Sequence, residues 1–107
     1  MAHNYKNAKV DLTTTNATVL YTCPTATTAI MKSILVSEDS GNADTITVTI
    51  TDAAAAVFSV FKVKAVGANG TVEFLTEPLV IEESEIIKVT AATANRLHVV
   101  ASFLEVS

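Results

Sequence analysis

Seven consecutive β-branched residues run from Thr45 to Thr51 and alternate strictly between threonine and an aliphatic residue. Branching at Cβ restricts χ1 and suits a pleated strand. A period of two places Ile46, Val48 and Ile50 on one face and the threonines on the other. The run therefore predicts a strand with an aliphatic core face and a polar, uncharged outer face. Four side chains are expected on the solvent side, namely Thr45, Thr47, Thr49 and Thr51.

The rest of the chain repeats this pattern of short apolar runs separated by turn-forming residues. About eight such strands follow one another at intervals of roughly ten residues, which is typical of a β-sandwich or barrel. Residues 1–8 are polar and aperiodic and are interpreted as an extended N-terminal arm. The prediction is an all-β, antiparallel sandwich of jelly-roll or Ig-like type, with one domain over residues 9–107.

Strict alternation also predicts which side chains share a face. In the strand beginning at Thr28, Ile30 is expected on the same side as Ile34, with Met31 on the opposite side. In the strand before Pro24, Val19 is expected to share a face with Tyr21.

Composition and charge limit the kinds of partner. The net charge is −4, and the seven Lys and Arg residues are scattered. This distribution argues against binding to nucleic acid and against a polybasic membrane anchor, both of which need clustered cations. Half of the residues are apolar and 17% are charged, compared with about 25% charged in ordinary domains. A small domain this apolar is expected to cover part of its surface with a partner.

No motif indicates catalysis, a cofactor or a metal. His3 lies in the arm and His98 in the last strand, with no second ligand at zinc-binding spacing. Cys23 cannot form an internal disulfide and has no histidine near it in sequence. It is interpreted as a small buried residue.

Two acidic segments are candidate sites for a metal ion or for catalytic carboxylates. Glu38, Asp39 and Asp44 could offer oxygens to calcium, but their spacing fits no EF-hand and suits an ordinary turn. The segment Glu82–Glu85 contains three glutamates, and it is interpreted as a solvated hairpin turn rather than as paired catalytic carboxylates.

Several strands carry apolar residues on both faces, whereas a sandwich buries only one face of each sheet. The arm, loops or another subunit must cover the second face, and subunit contact is favoured. The residues predicted to lie at an interface are Tyr5, Phe58, Val60, His98, Val100 and Leu104.

Four stretches resemble one known class of protein. They are Tyr21–Ile30, Phe58–Val63, Leu79–Ala91 and Val99–Glu105. In this strand pattern the chain is similar to small virion structural proteins of tailed bacteriophages, especially phages of aquatic bacteria and cyanobacteria. That family often has glycine in the acidic turn, and Ser84 stands there in this chain, which argues against a left-handed turn.

The resemblance implies a non-enzymatic capsid decoration (cement) protein on the virion surface, made in the cytoplasm of a bacterial host. It implies binding to the major capsid protein or other virion proteins, and a homo-oligomer with a trimer favoured. Apolar strand faces and the arm are the expected contacts. Two alternatives remain: a structural protein of the neck, tail or fibre base, and a module that binds a host receptor or glycan.

Overall fold

The structure is a computed structural model that describes residues 2–107. The described residues form nine β-strands and no helix. The strands are β1 His3–Asp11, β2 Thr18–Thr22, β3 Thr28–Glu38, β4 Asp44–Thr51, β5 Val57–Val66, β6 Thr71–Glu73, β7 Leu79–Ile81, β8 Ile86–Ala91 and β9 Leu97–Val106.

The strands form two antiparallel sheets. Sheet A has the order β1-β9-β3-β6, with β7 also paired to β3, and sheet B has the order β2-β8-β4-β5. Both β6 and β7 pair with β3, at Leu35↔Glu73 and Ala29↔Ile81, so they are two parts of one strand interrupted before Pro78. Counted this way there are eight strands. Their alternation between sheets is that of a jelly roll, which selects one of the two predicted sandwich types.

The core lies between the sheets and follows the predicted alternation in most strands. In β4, Ile46 and Val48 are fully buried, and in β9 the buried residues alternate with exposed or half-buried ones. Thr45, Thr47 and Thr49 are partly exposed on the opposite face, as expected. Thr51 differs, because it is buried beside Ile86 and Val57 in the strand register.

The prediction of an N-terminal arm over residues 1–8 is wrong for residues 3–8, which belong to β1. Strand β1 pairs with β9 along its whole length, from His3↔Val106 to Asp11↔His98. The side chains of residues 3–7 are nevertheless exposed. The segment was polar because it forms a sheet edge outside the core. Since β1 lies beside β9, it widens sheet A and covers neither sheet face. Met1 lies outside the described residues.

Two β-bulges reverse predicted side-chain directions. In β3 the register shifts between Met31 and Ser33, so Ile30 faces outward while Ile34 and Met31 are both buried. In β2 the register shifts between Val19 and Tyr21, so Val19 is exposed while Tyr21 is buried. A bulge inserts one residue, and every side chain beyond it changes face.

The turns are tight, and several contain non-glycine residues with left-handed backbone. Ser84 has φ 67°, Asn69 has φ 55° and Asn95 has φ 65°. The acidic turn therefore has a left-handed residue at Ser84, contrary to the expectation from its lack of glycine. Its backbone is held because the Ser84 N–H donates to the Cys23 carbonyl at 2.9 Å.

Candidate interaction surfaces

The outer face of sheet A carries a continuous apolar row. The strand register aligns Tyr5 with Leu104, Leu104 with Ile30, and Ile30 with Val80. Tyr5 is 76% exposed and Val80 is 54% exposed, while Leu104 and Ile30 between them are half-buried. These four residues, here called the apolar row, cross four strands without a polar interruption. Contiguous exposed apolar surface of this kind marks a contact site more often than scattered single residues do.

Further along the same face, the register produces a polar row and then a second apolar pair. Asn7, Ser102 and Ser33 lie opposite one another across β1, β9 and β3. A shallow depression lies there, lined by Tyr5, Lys6, Asn7, Lys32, Ser102 and Phe103. Beyond it, Val100 pairs with Leu35, and both are exposed. The outer face of sheet A is therefore amphipathic, with apolar bands on both sides of a polar strip.

His98 lies on the same face at the beginning of β9, next to the Val100 and Leu35 pair. Its Nε2 lies 3.2 Å from Asp11 Oδ1, and its Nδ1 lies 3.5 Å from Asp39 Oδ2. All three side chains are substantially exposed. His98 therefore takes part in a surface polar cluster, and it is not embedded in the apolar bands.

The six residues predicted to lie at an interface separate into two groups. Tyr5, His98, Val100 and Leu104 all lie on the outer face of sheet A. Phe58 and Val60 lie on β5, the edge strand of sheet B. Phe58 is 58% exposed, whereas Val60 is only half-exposed and packs against the core.

Ile30, Leu35 and Val80 also lie on the outer face of sheet A and are absent from the interface residues predicted from sequence. Val80 belongs to a three-residue strand that follows Pro78, too short to show alternation. Ile30 and Leu35 both face outward because the bulge in β3 lies between them. No local pattern identifies that bulge, because Lys32 and Ser33 are ordinary residues for a continuous strand.

Strand β5 forms the second surface. Val57, Phe58 and Val63 are all exposed, and Phe61 turns inward to place its ring 5.4 Å from that of Phe74. The register shifts twice along the strand, so β5 contains two bulges relative to β4. Bulged edges resist edge-to-edge pairing with other strands.

Val63 stores backbone strain in one of these bulges. Its φ is +49°, a left-handed conformation that is unfavourable for a β-branched residue. The Val63 N–H donates to Thr47 Oγ1 at 3.1 Å, which holds the bulge in place. Its side chain is nevertheless 62% exposed. Because the side chain is mostly exposed, it contributes little hydrophobic stabilisation to offset the strain of its backbone.

We expect Val63→Asn to increase the free energy of unfolding by roughly 0.5–1 kcal/mol, because asparagine tolerates left-handed backbone. Urea denaturation of both proteins measures the difference. Val57→Asn is the control, since Val57 is equally exposed but is not among the residues with positive φ. A loss of stability in Val63→Asn would show that the valine side chain outweighs the backbone strain.

Of the three buried carboxylates, Glu38 and Glu105 make the most contacts within the fold. Glu38 accepts hydrogen bonds from the backbone N–H groups of Ser40 at 2.7 Å, Gly41 at 3.0 Å and Asn69 at 3.0 Å, and from the Ser40 hydroxyl. Burial raises its pKa, but the Ser40 hydroxyl and these backbone donors outweigh burial and lower the pKa to about 2. Glu38 thus joins the β3–β4 and β5–β6 turns. Asp39 instead contacts His98, with 3.5 Å between Asp39 Oδ2 and His98 Nδ1. The segment that contains Glu38 and Asp39 is therefore a structural turn.

Glu105 is the second buried carboxylate, at the opposite end of the sandwich. It accepts a hydrogen bond from Tyr21 Oη at 2.6 Å and pairs with Lys6 Nζ at 2.9 Å. The hydrogen bonds from Lys6 and Tyr21 lower the pKa of Glu105. Burial, and then the bond to Glu105, raises the pKa of Tyr21. Lys6, predicted to lie in an arm, therefore secures β1 to the core.

Cys23 lies near this group and is buried. Its Sγ lies 3.3 Å from the Thr27 carbonyl oxygen and 3.5 Å from that of Ile81. Burial raises the pKa of the thiol, which disfavours the nucleophilic thiolate. Within residues 2–107, no group of three or more His, Cys, Asp or Glu side chains is arranged to hold a metal ion. The same residues contain no helix long and apolar enough to cross a membrane.

Comparison with models of known protein families and with curated proteins gives no match for this chain.

Proposed function

We propose that the protein is a non-enzymatic structural component of a tailed-phage virion, namely a capsid decoration protein that binds head subunits through the outer face of sheet A. The observation that carries this proposal is the apolar row Tyr5–Leu104–Ile30–Val80, which crosses four strands at the surface. A monomer gains nothing by aligning exposed apolar side chains in this way, whereas a partner that covers them gains hydrophobic free energy.

The fold is compatible with this role. Jelly rolls are frequent in viral capsid proteins and also occur in lectins, so the fold by itself leaves both functions open. The strand pattern resembles that of small phage virion proteins, and this resemblance favours a capsid role over a lectin role. Binding rather than catalysis is also supported by the buried carboxylates, because Glu38 and Glu105 are held by turn and strand contacts within the domain.

The size of the face suits a stable contact. Four strands about 4.8 Å apart and about 30 Å long present roughly 600 Å² before side-chain relief is included. A standard interface buries about 800 Å² per partner. The protein would bind the assembled shell more tightly than it binds separated capsid subunits. Such preferential binding stabilises the shell by mass action.

Cryo-electron microscopy of the particle that contains this protein tests the proposal through copy number and position. We expect copies distributed over the head, in numbers that follow the capsid lattice, with sheet A facing the major capsid protein. A small set of copies at the neck, tail or fibre base would contradict a decoration role and favour the alternative virion role. Copies on the head with sheet A facing solvent would contradict the proposed contact.

A glycan- or receptor-binding module is the alternative from another class. Stacking on sugars uses exposed aromatic rings, and the exposed aromatic residues of the described chain are Tyr5 and Phe58, on different sheets. They do not form one platform. Specific binding of the isolated protein to a glycan array at micromolar affinity would favour that alternative.

A further inference from the structure

We propose that this protein self-assembles through β5, whose basic surface receives the acidic turn of a second copy. The basic surface is the exposed edge of β5, where the side chains of five residues project to both sides of the strand, namely Val57, Phe58, Lys62, Val63 and Lys64. The acidic turn is Glu82–Glu85. The proposal names two surfaces outside the outer face of sheet A and holds whether or not the protein binds a capsid.

Sheet B has an uneven charge distribution for a protein with a net charge of −4. Its four strands contain Lys62, Lys64 and Lys88 and a single carboxylate, Asp44. Asp44 is buried and accepts a hydrogen bond from the Thr93 N–H at 3.1 Å. Sheet B therefore presents positive charge and no exposed carboxylate of its own.

The lysines on this sheet have no ion-pair partner among the described residues. The ion pairs shorter than 4.0 Å in that part of the chain join Lys6 to Glu105 and His98 to Asp11 and Asp39. Lys62 and Lys64 are exposed. They flank the strained Val63 and follow the exposed Phe58, so charged and apolar groups are combined on one strand. Such a combination is typical of a protein interface, with an apolar anchor and charges that fix the register.

The two bulges in β5 determine the shape of the partner. They interrupt the regular pattern of edge donors and acceptors, which disfavours addition of an extended strand. A convex partner that contacts side chains rather than the backbone ladder fits this edge better. A tight turn has that shape.

The chain itself provides an acidic turn. Of its eleven carboxylate residues, three lie at positions 82, 83 and 85. The other exposed carboxylates are more dispersed: Asp11 and Asp39 flank His98, Asp52 accepts the N–H groups of Ala54 and Ala56, each at 2.9 Å, and Glu73 and Glu77 lie four positions apart. The segment Glu82–Glu85 is therefore the densest run of carboxylates along the chain.

This turn is also rigid. The Ala26 N–H donates to Glu83 Oε2 at 2.6 Å, and the Glu82 N–H donates to Glu85 Oε1 at 2.7 Å. These two bonds fix the loop against Ala26 and across the turn itself. A preorganised turn loses little conformational entropy on binding. Charge complementarity and rigidity together favour a second copy as the occupant of the β5 surface.

The two surfaces are distinct, so the contact either forms twice across a two-fold axis or once per subunit in a closed ring. The mass of the assembly distinguishes these symmetries. A trimer requires the ring.

A charge-swap experiment tests the proposal on the isolated full-length protein by sedimentation velocity. We expect the wild type to assemble at roughly 100 μM protein and about 50 mM salt, and to dissociate at about 500 mM salt. Lys62→Glu/Lys64→Glu should raise the dissociation constant by roughly tenfold or more, and Glu82→Lys/Glu83→Lys should do the same. The protein with all four substitutions should regain assembly.

The control is Lys9→Glu/Lys32→Glu, which makes the same change in net charge on sheet A. It should assemble like the wild type. Glu82→Lys alone is added because it leaves the Glu83 contact with Ala26 intact, and thermal melting verifies that each variant is folded. A monomeric wild type at low salt, equal loss in the sheet A control, or failure of the four-substitution protein to reassemble would each overturn the proposal. Capsid binding is measured separately, so failure here leaves the proposed function standing.

Discussion

Glu38→Ala is expected to lower the melting temperature by roughly 10 °C or more. Its carboxylate accepts hydrogen bonds from three backbone N–H groups, those of Ser40, Gly41 and Asn69. Removing it leaves these donors without an acceptor and removes the side-chain link between the β3–β4 turn and the β5–β6 turn, so that the backbone bond from the Glu38 N–H to the Gly70 carbonyl remains. Unsatisfied donors cost more than the net value of the hydrogen bonds themselves.

Thermal unfolding followed by circular dichroism measures this effect. Glu82→Ala is the control, because Glu82 is exposed and no hydrogen bond to its side chain is seen in residues 2–107. Its melting temperature should stay close to that of the wild type. Comparable melting of Glu38→Ala and the control would show that the two turns are held by other contacts.

The same carboxylate predicts a pH dependence. Its pKa is about 2 in the folded protein, against an ordinary value of 4.5. The unfolded state therefore binds the proton more tightly, so the stabilisation is fully present above pH 4.5 and is lost as pH falls towards 2. Glu38→Gln has no titrating group at this position. The difference in melting temperature between wild type and Glu38→Gln should accordingly shrink as pH falls from 4.5 to 2.

Val80→Asp is expected to weaken binding to the capsid by roughly 100-fold. Val80 is 54% exposed and lies at the end of the apolar row, next to Ile30 in the register. If that row is covered by a capsid subunit, aspartate there places a charge in a contact without a partner and removes an apolar side chain. Because the side chain is largely exposed in the isolated protein, its own stability should change little.

Binding is measured by occupancy on heads that lack the protein, after adding purified wild type or variant. Val19→Asp is the matched control, since Val19 is 50% exposed on sheet B. It makes the same chemical change on the opposite sheet. Equal loss of occupancy in both variants would indicate a general effect of aspartate in a strand, and unchanged occupancy for Val80→Asp would remove the apolar row from the contact.

Most of the secondary structure could be predicted from alternation. The threonine strand has Ile46 and Val48 in the core, and the last strand alternates as expected from Leu97 onwards. The turn between β5 and β6 contains glycine and asparagine, which are ordinary turn formers, and the Gly70 N–H donates to the Gly67 carbonyl at 2.9 Å. These features depend on neighbours in the chain, so local patterns suffice to identify them.

The candidate surface could be predicted only in part. Tyr5, Val100 and Leu104 were identified because they are apolar residues outside the core-facing set. Their alignment with Ile30 and Val80 depends on the pairing of β9 with β1 and β3, and of β3 with β7. Those partners lie far apart in the chain, because Tyr5 opposes Leu104, 99 positions away, and His3 opposes Val106, 103 positions away. Nothing local encodes such pairs.

The sequence by itself determined that this protein is an all-β sandwich, because the period of two and the spacing of turns are properties of adjacent residues. The tertiary structure decided three further things: the jelly-roll order of the strands, the role of residues 3–8 as an edge strand, and the bulges that turn Ile30 outward and Tyr21 inward. The physical reason is that hydrogen bonding to a partner strand satisfies a polar segment which has no core face of its own. A bulge likewise exists only relative to the strand beside it.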